Sequence, residues 1–221
     1  MGIYMPLILS YNSIAIGTRT YLAYMNRKKL EDPSTSEYEG YPIPRNLYKY
    51  VETVLQEPAK ASIMMEWTID KETRQLLARL FVIMHETVSK PLRFNLYVVE
   101  DSVSGQGPGW NQYNGVSGDT SWLPCPYVYK PDTLKNFMHR HVVRNMLGGA
   151  FGVQGEFTGP AQQGKIYEHY FQCKIDEDWD INKLSVVGLV NVYDPDNDDY
   201  EVLNSTRGNF SESEFNLTSV R

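Results

Sequence analysis

From Ala61 to Asp70 the chain reads ASIMMEWTID. Ala61, Ile63, Met65, Trp67 and Ile69 fall on one side of an extended backbone, and Ser62, Glu66, Thr68 and Asp70 fall mostly on the other. Successive side chains of a strand point to opposite faces, so this period of two predicts a strand with one buried face. Such a strand cannot stand alone. It needs neighbours along its edges and a second layer over its apolar side, and that requirement governs how the remaining segments are read.

Several segments can supply those neighbours. Thr73 to Val88 (TRQLLARLFVIMHETV) fits an amphipathic helix as well as a buried strand, and its β neighbours favour the strand. Arg93 to Asp101 alternates again, with Phe94, Leu96 and Val98 against Asn95, Tyr97 and Val99, so three consecutive antiparallel strands are expected. Lys165 to Asp176 places Tyr167, His169, Phe171, Cys173 and Ile175 on one side, and Leu184 to Tyr193 is apolar enough for a strand buried on both faces. The acidic turn Asp194 to Asp199 leads into Tyr200 to Asn204, after which the polar chain is expected to fray. The 13% aromatic content supplies residues that suit pleated surfaces, and 16 glycines and 12 prolines supply turns. The expected fold is mainly β: an Ig-like antiparallel β-sandwich of roughly seven strands over residues 59–207, then a polar tail over 208–221.

Residues 1–58 read differently. A strand-like run, Gly17 to Arg27 (GTRTYLAYMNR), precedes a charged loop at Glu31 to Glu39. Pro44 then opens a segment in which Leu47, Tyr50, Val51, Val54 and Leu55 recur at helical spacing. One strand, one loop and one helix bury too little to form a core, so this piece is expected to pack on the remainder of the chain or to belong to something larger.

The formal net charge of −6 repels phosphate backbones, and no Lys/Arg-rich stripe offsets it, so nucleic acid is excluded as the expected partner. No apolar run approaches the roughly 18 residues that cross a bilayer as a helix. Met1 to Ser10 has neither the basic head nor the small-residue cleavage site of a secretion signal, so a mature, truncated or cytoplasmic chain is expected. Cys125 and Cys173 form no CxxC pair, which removes the thiol redox motif and a cysteine zinc site together. The two are expected to be unpaired.

Two stretches concentrate the chemistry. Ser102 to Pro131 is a loop with five glycines, four prolines, three tyrosines, Trp110 and Trp122. Long loops in compact domains carry function or disorder, and disordered segments are poor in aromatics. Such a loop either presents Trp110, Tyr113 and Trp122 to a sugar or protein surface, or folds on its own aromatics to cover a sheet edge. Asn136 to Gly155 (NFMHRHVVRNMLGGAFGVQG) holds two of the four histidines. On a strand His139 and His141 would share a face and could begin a metal site, but no further ligand lies at metal spacing and no serine or cysteine stands beside them. Hydrogen bonds from these histidines, Arg140 and Arg144 to loop carbonyls and carboxylates are the simpler expectation. GGAFG lacks the strand and lysine of a nucleotide fingerprint and suits a tight turn or bulge. The DPDNDD turn lacks the glycine and glutamate of a calcium loop.

The order NFMHRHVVRNMLGG, a strand, DWDINKLSVVGLV (Asp178 to Val190) and Glu201-Val202-Leu203-Asn204 resembles the Omp28-related outer membrane proteins of Bacteroidetes over most of the chain. His139, His141, Val142 and Arg144 match that family's H-x-H-V-x-R signature, and Glu100 matches the acid of its V-E-D strand. The resemblance implies a thioredoxin-like part joined to a β-sandwich. Residues 1–58 are similar to the second half of such a part, a partial thioredoxin-like α/β segment. Gly17-Thr18-Arg19 stands where the family has Gly-x-Pro, and no CxxC precedes it, so thioredoxin-type redox chemistry is not expected. The implied location is the cell envelope, at the outer membrane periphery.

Without catalytic chemistry beside an aromatic loop, the expected protein is a non-catalytic envelope binding or adhesion module with no cofactor and no metal. Its partner is a protein or glycan at the cell surface, met through Trp110, Tyr113 and Trp122 with His139, His141 and Arg144. Membrane association would come from an anchor missing from this chain or from another subunit. A periplasmic thioredoxin-like redox or chaperone accessory and a structural envelope subunit are the alternatives.

Overall fold

The computed structural model describes residues 24–25, 28–29 and 55–209. The thioredoxin-like reading of residues 1–58 therefore falls almost wholly outside the described residues, which there show only β1 (Tyr24–Met25) paired antiparallel with β2 (Lys28–Lys29). Of the helix expected after Pro44, Leu55 and Gln56 alone are described, and they are helical.

The strand predicted at Ala61 is β3 (Ala61–Asp70), and its alternating burial follows the sequence pattern. β4 (Gln75–Met84) lies antiparallel to it over its whole length, from Ala61↔Met84 to Asp70↔Gln75. The ambiguous segment is thus a strand, because alternate residues Leu76, Ala78, Leu80, Val82 and Met84 are all buried. The Asp70 carboxylate closes the intervening turn by accepting from the backbone N–H groups of Glu72 and Thr73. The Thr73 bond is the largest influence holding that carboxyl below its usual range.

β5 (Leu92–Glu100) does not continue this meander. It crosses to a second sheet, where it pairs with β8 (Val142–Met146) and β10 (Leu184–Val192). The reason lies in its burial: both faces of β5 are covered, including Asn95 at 0% exposure, which suits a central strand. The free edge of β4 is taken instead by β9 (Ile166–Lys174), with Leu80↔His169 in register. β11 (Val202–Asn209) completes the second sheet and pairs with β10 as far as Ser185↔Asn209, beyond the point where fraying was expected. Its polar residues still serve as ladder partners, and Ser205 is buried.

Two antiparallel sheets result, β3-β4-β9 and β11-β10-β5-β8, packed in a sandwich-like arrangement. Lettered A to G in chain order, these seven strands form A-B-E and G-F-C-D. The constant-type immunoglobulin layout keeps D beside E; here D has moved beside C. One core lies between the sheets, built from Leu76, Leu80, Phe94, Leu96, Val186 and their neighbours. Gly188 allows Leu80 to seat there, since a Cβ at that position would stand 2.4 Å from Leu80 Cδ2. Phe157 closes one side by stacking on Phe94 and Tyr167.

The GGAFG stretch interrupts the edge strand beside β5. Leu147 N–H still bonds Leu96, residues 148–152 loop out, and Val153 resumes pairing with Phe94. The outer face of β5 and β10 holds the loop: Asn95 donates to the Gly149 carbonyl, Arg93 to that of Gly152 and Asn191 to that of Phe151. Gly152 has φ of +85°, and a Cβ would meet the Phe94 oxygen at 2.6 Å, so the position requires glycine.

Candidate functional site

The long aromatic loop leaves the end of β5 and returns into β8, its neighbour in the same sheet. Its base is therefore a pair of adjacent strands, fastened by reciprocal backbone bonds between Val103 and His139 at 2.9 and 2.8 Å. Around this base the two sequence motifs meet. The Asp101 carboxylate faces His141 Nδ1 at 3.2 Å, the His141 N–H at 3.3 Å and Arg140 Nη1 at 3.2 Å. Burial pushes the Asp101 carboxyl up, but the His141 side chain, the Ser102 and His141 N–H groups and the Arg140 charge together outweigh it and hold the group below its usual range.

Glu100, almost fully buried, accepts from the Asp180 N–H through Oε1, and Arg144 Nε stands 3.0 Å from its Oε2. That approach lies off the Nε–H direction, so charge rather than a hydrogen bond at Nε holds the pair. The Arg144 guanidinium also lies over the Trp179 ring, 5.3 Å from its centre. The register explains how Arg144 reaches inward: Val98 faces Asn145 and Val99 faces Val143, leaving Arg144 as the extra residue of a bulge. Bulges turn a side chain away from its normal alternation.

His139 and His141 do not share a strand face. His141 has φ of +55°, and β8 begins only at Val142, so the alternation breaks between them. His139 is half-buried, with Nε2 3.2 Å from the Trp110 carbonyl and its ring edge-on to Phe137 at 5.1 Å. His141 is exposed beside Asp101. Among the described residues no three His, Cys, Asp or Glu side chains are grouped to hold a metal. Cys125 and Cys173 are both free thiols, and burial raises the pKa of Cys173.

Within the loop a polar side chain, not an aromatic one, is the hub. Buried Asn114 points its amide nitrogen at the carbonyls of Tyr127, Lys130 and Pro131, at 2.8, 3.2 and 3.1 Å. Val128 packs beside it at 2% exposure, and β6 (Gln112–Tyr113) pairs with β7 (Thr133–Leu134). The outward residues are then Tyr113, Tyr127 and Tyr129. Trp110 is half-buried on Gly105, where a Cβ would come within 2.2 Å of its ring, and beside His139. The side chain of Trp122 lies outside the described residues. Trp110 and His139 are thus together, His141 and Arg144 belong to the carboxylate clamp, and Tyr113 stands apart on β6.

One open cavity of about 700 Å³ lies on this loop, lined by Tyr127, Lys130, Lys135, Phe137, Met138 and Arg140 among others, with no carboxylate in its wall. Phe137 links it to His139 and thence to Trp110. Sequence reasoning centred on the tryptophans passed over Tyr127, Lys130, Lys135, Phe137 and Met138. Their signal was the run YVYKPDTLKNFMHR, in which three cations are spaced between apolar side chains.

A family model described as outer membrane protein Omp28 matches residues 17–214. The chain belongs to the Omp28 family. That membership places the protein at the outer membrane periphery of the cell envelope. The structure of HBP35 of Porphyromonas gingivalis is similar with a TM-score of 0.54 and 16% identity, over 79% of this chain and 48% of that one. The likeness is one of fold, and the Omp28 chain spans about half the length of HBP35. A domain of the outer membrane lipoprotein Omp28 from the same organism aligns over 69% of this chain and 89% of that one, with 12% identity and a TM-score of 0.38. No curated protein matches the chain. Among the described residues no helix is long and apolar enough to cross a membrane.

Proposed function

We propose that this Omp28 family member is a non-catalytic binding module of the cell envelope, with the loop over residues 102–141 as its recognition element. The observation that carries the reading is the division of labour in that loop. His139, Arg140, His141 and Arg144 are engaged at its base, with the Trp110 carbonyl, Asp101 and Glu100, while Tyr113, Tyr127 and Tyr129 face solvent and Tyr127 also lines an open groove. Binding loops presented by a rigid β scaffold follow this plan. The bonding of both histidines supports a structural rather than catalytic role for them, since among the described residues neither is bonded to a serine or cysteine that it could activate. The same reading takes residues 1–58 as a partial thioredoxin-like segment on the resemblance of GTRTYLAYMNR, and assigns it no redox role because no CxxC precedes that run.

The test is a panel of envelope glycans, envelope proteins and host glycoproteins presented to the full chain, followed by Tyr127→Ala and Met138→Ala on every partner retained. Loss of at least tenfold in affinity with unchanged thermal unfolding is expected, since anchors in a groove carry most of the energy of an interface. Wild-type affinity of both variants for all retained partners would overturn the assignment of the loop.

A further inference from the structure

We propose that the groove on the loop takes the phosphate-bearing headgroup of an outer membrane lipid, a proposal that rests on the reading of this loop as the recognition element. The chain carries a net charge of −6, yet three cations, Lys130, Lys135 and Arg140, line the groove and no carboxylate does. Lys130 and Lys135 are exposed and make no ion pair among the described residues. Arg140, with a side chain 68% exposed, has Asp101 as its single acidic contact among the described residues, at 3.2 Å. A local reversal of sign in an acidic protein is a site for an anion, because the ligand gains there what it would lose elsewhere on the surface.

The other half of the wall is apolar. Tyr127 is 43% exposed and Met138 50% exposed, with Phe137 between the groove and His139. Cations on long aliphatic stems beside a tyrosine and a thioether suit a ligand with a charged head and an apolar body, since lysine stems lie along apolar surface while their heads stay in water. A neutral glycan would stack on the rings and leave the cations unmatched. Phosphate-bearing lipids supply both parts, and the Omp28 family works where they are present. Tyrosine beside lysine is also the composition found at the level of lipid headgroups.

Sedimentation of the full chain with vesicles tests the assignment. Vesicles of phosphatidylcholine mixed with phosphatidylglycerol are expected to bind it and vesicles of phosphatidylcholine alone are not, and the binding is expected to weaken as salt rises. Each lysine near an anionic surface is worth about fivefold in partitioning, so Lys130→Ala with Lys135→Ala should reduce binding about 25-fold. Met138→Ser should weaken it without altering its salt dependence. Both variants should keep the wild-type melting temperature. Equal binding to both vesicle types, no effect of the double variant, or capture of soluble poly-glutamate without vesicle binding would overturn the lipid assignment, the last in favour of an acidic peptide. Free inorganic phosphate displacing nothing is expected, and its displacing the protein fully at millimolar concentration would reduce the site to a simple anion site. Should groove variants abolish binding of a glycan or protein while no vesicle is bound, the loop remains a recognition element and the lipid assignment alone fails.

Discussion

Asn114→Ala isolates what makes the loop over residues 102–141 a shape rather than a tether. The Asn114 amide nitrogen lies within 3.2 Å of three carbonyls, but its two hydrogens can serve only two of them well at a time. At about 1 kcal/mol net for each bond, the substitution removes about 2 kcal/mol from the folded loop. The 3.4 Å contact from the Val116 N–H to Asn114 Oδ1 is too long to add much. Two kcal/mol corresponds to roughly a 30-fold increase in the loop's opening equilibrium. The sandwich core contains no residue of the 104–141 stretch, so the loop can open with the core intact, at a lower free energy than global unfolding. Native-state hydrogen exchange reads the two apart. The Asn114, Gly118 and Val128 amides, which bond to Asp132, Val128 and Cys125, should exchange about 30-fold faster, and at a lower opening free energy than amides of β5 and β10 in wild type and variant alike. Unchanged loop protection would refute the hub; loop amides exchanging at the same opening free energy as those of β5 and β10 would refute the separation of loop from core.

Two more outcomes concern groups nearer the core. Arg144→Met leaves the Glu100 carboxylate, 7% exposed, with the Asp180 N–H and no countercharge, and should cost about 3–5 kcal/mol in urea unfolding. Adding Glu100→Gln should recover most of that loss, and a cost below about 1 kcal/mol for the single variant would show that the pair is not an anchor. His169 packs between Phe94 and Phe171, and burial lowers its imidazole below the ordinary 6.5, partly opposed by the Glu156 charge. Its folded pKa lies below its unfolded value, so the unfolded chain binds the proton first and stability falls as pH drops through 6.5. His169→Phe should flatten that part of the stability curve, above the range near pH 4 where carboxylates protonate; an unchanged slope in thermal melts would sink the argument.

What the residues alone could reveal was set by the range of the forces involved. Period-two burial is local, so β3, β9 and β10 were legible from single segments: Tyr167, Phe171 and Ile175 point inward as their spacing predicts, and the unbroken apolar run at Leu184 became a strand buried on both faces. Which strands become neighbours is decided at long range. Nothing within Arg93 to Asp101 states that β5 will leave β4 for β10, although its two-sided burial is the trace that decision leaves. The length of β11 was hidden for the opposite reason. Ser205, Thr206 and Arg207 have polar side chains, but a strand needs only backbone partners, and β10 supplies them.

The candidate site was hardest to read because its informative residues answer to one another across 40 positions. His141 and Arg144 have no local partner that identifies their role; only when β5 and β8 are side by side do Asp101 and Glu100 meet them, while His139 faces the Trp110 carbonyl. Once that clamp is seen, Trp110, half-buried at the loop base, has a weaker claim as a contact than the open groove. Trp110 is held by Gly105 and by the histidine its own carbonyl faces, so removing its ring would loosen the loop base before it removed any ligand contact. The groove wall inherits the claim. Tyr127 and Met138 are exposed, Lys130 and Lys135 are free of carboxylates among the described residues, and Phe137 ties them to the loop base through His139. A binding loop needs side chains that are held from below and open above. In this Omp28 protein the clamp and Asn114 provide the first condition, and the groove, with Tyr127 in its wall, provides the second.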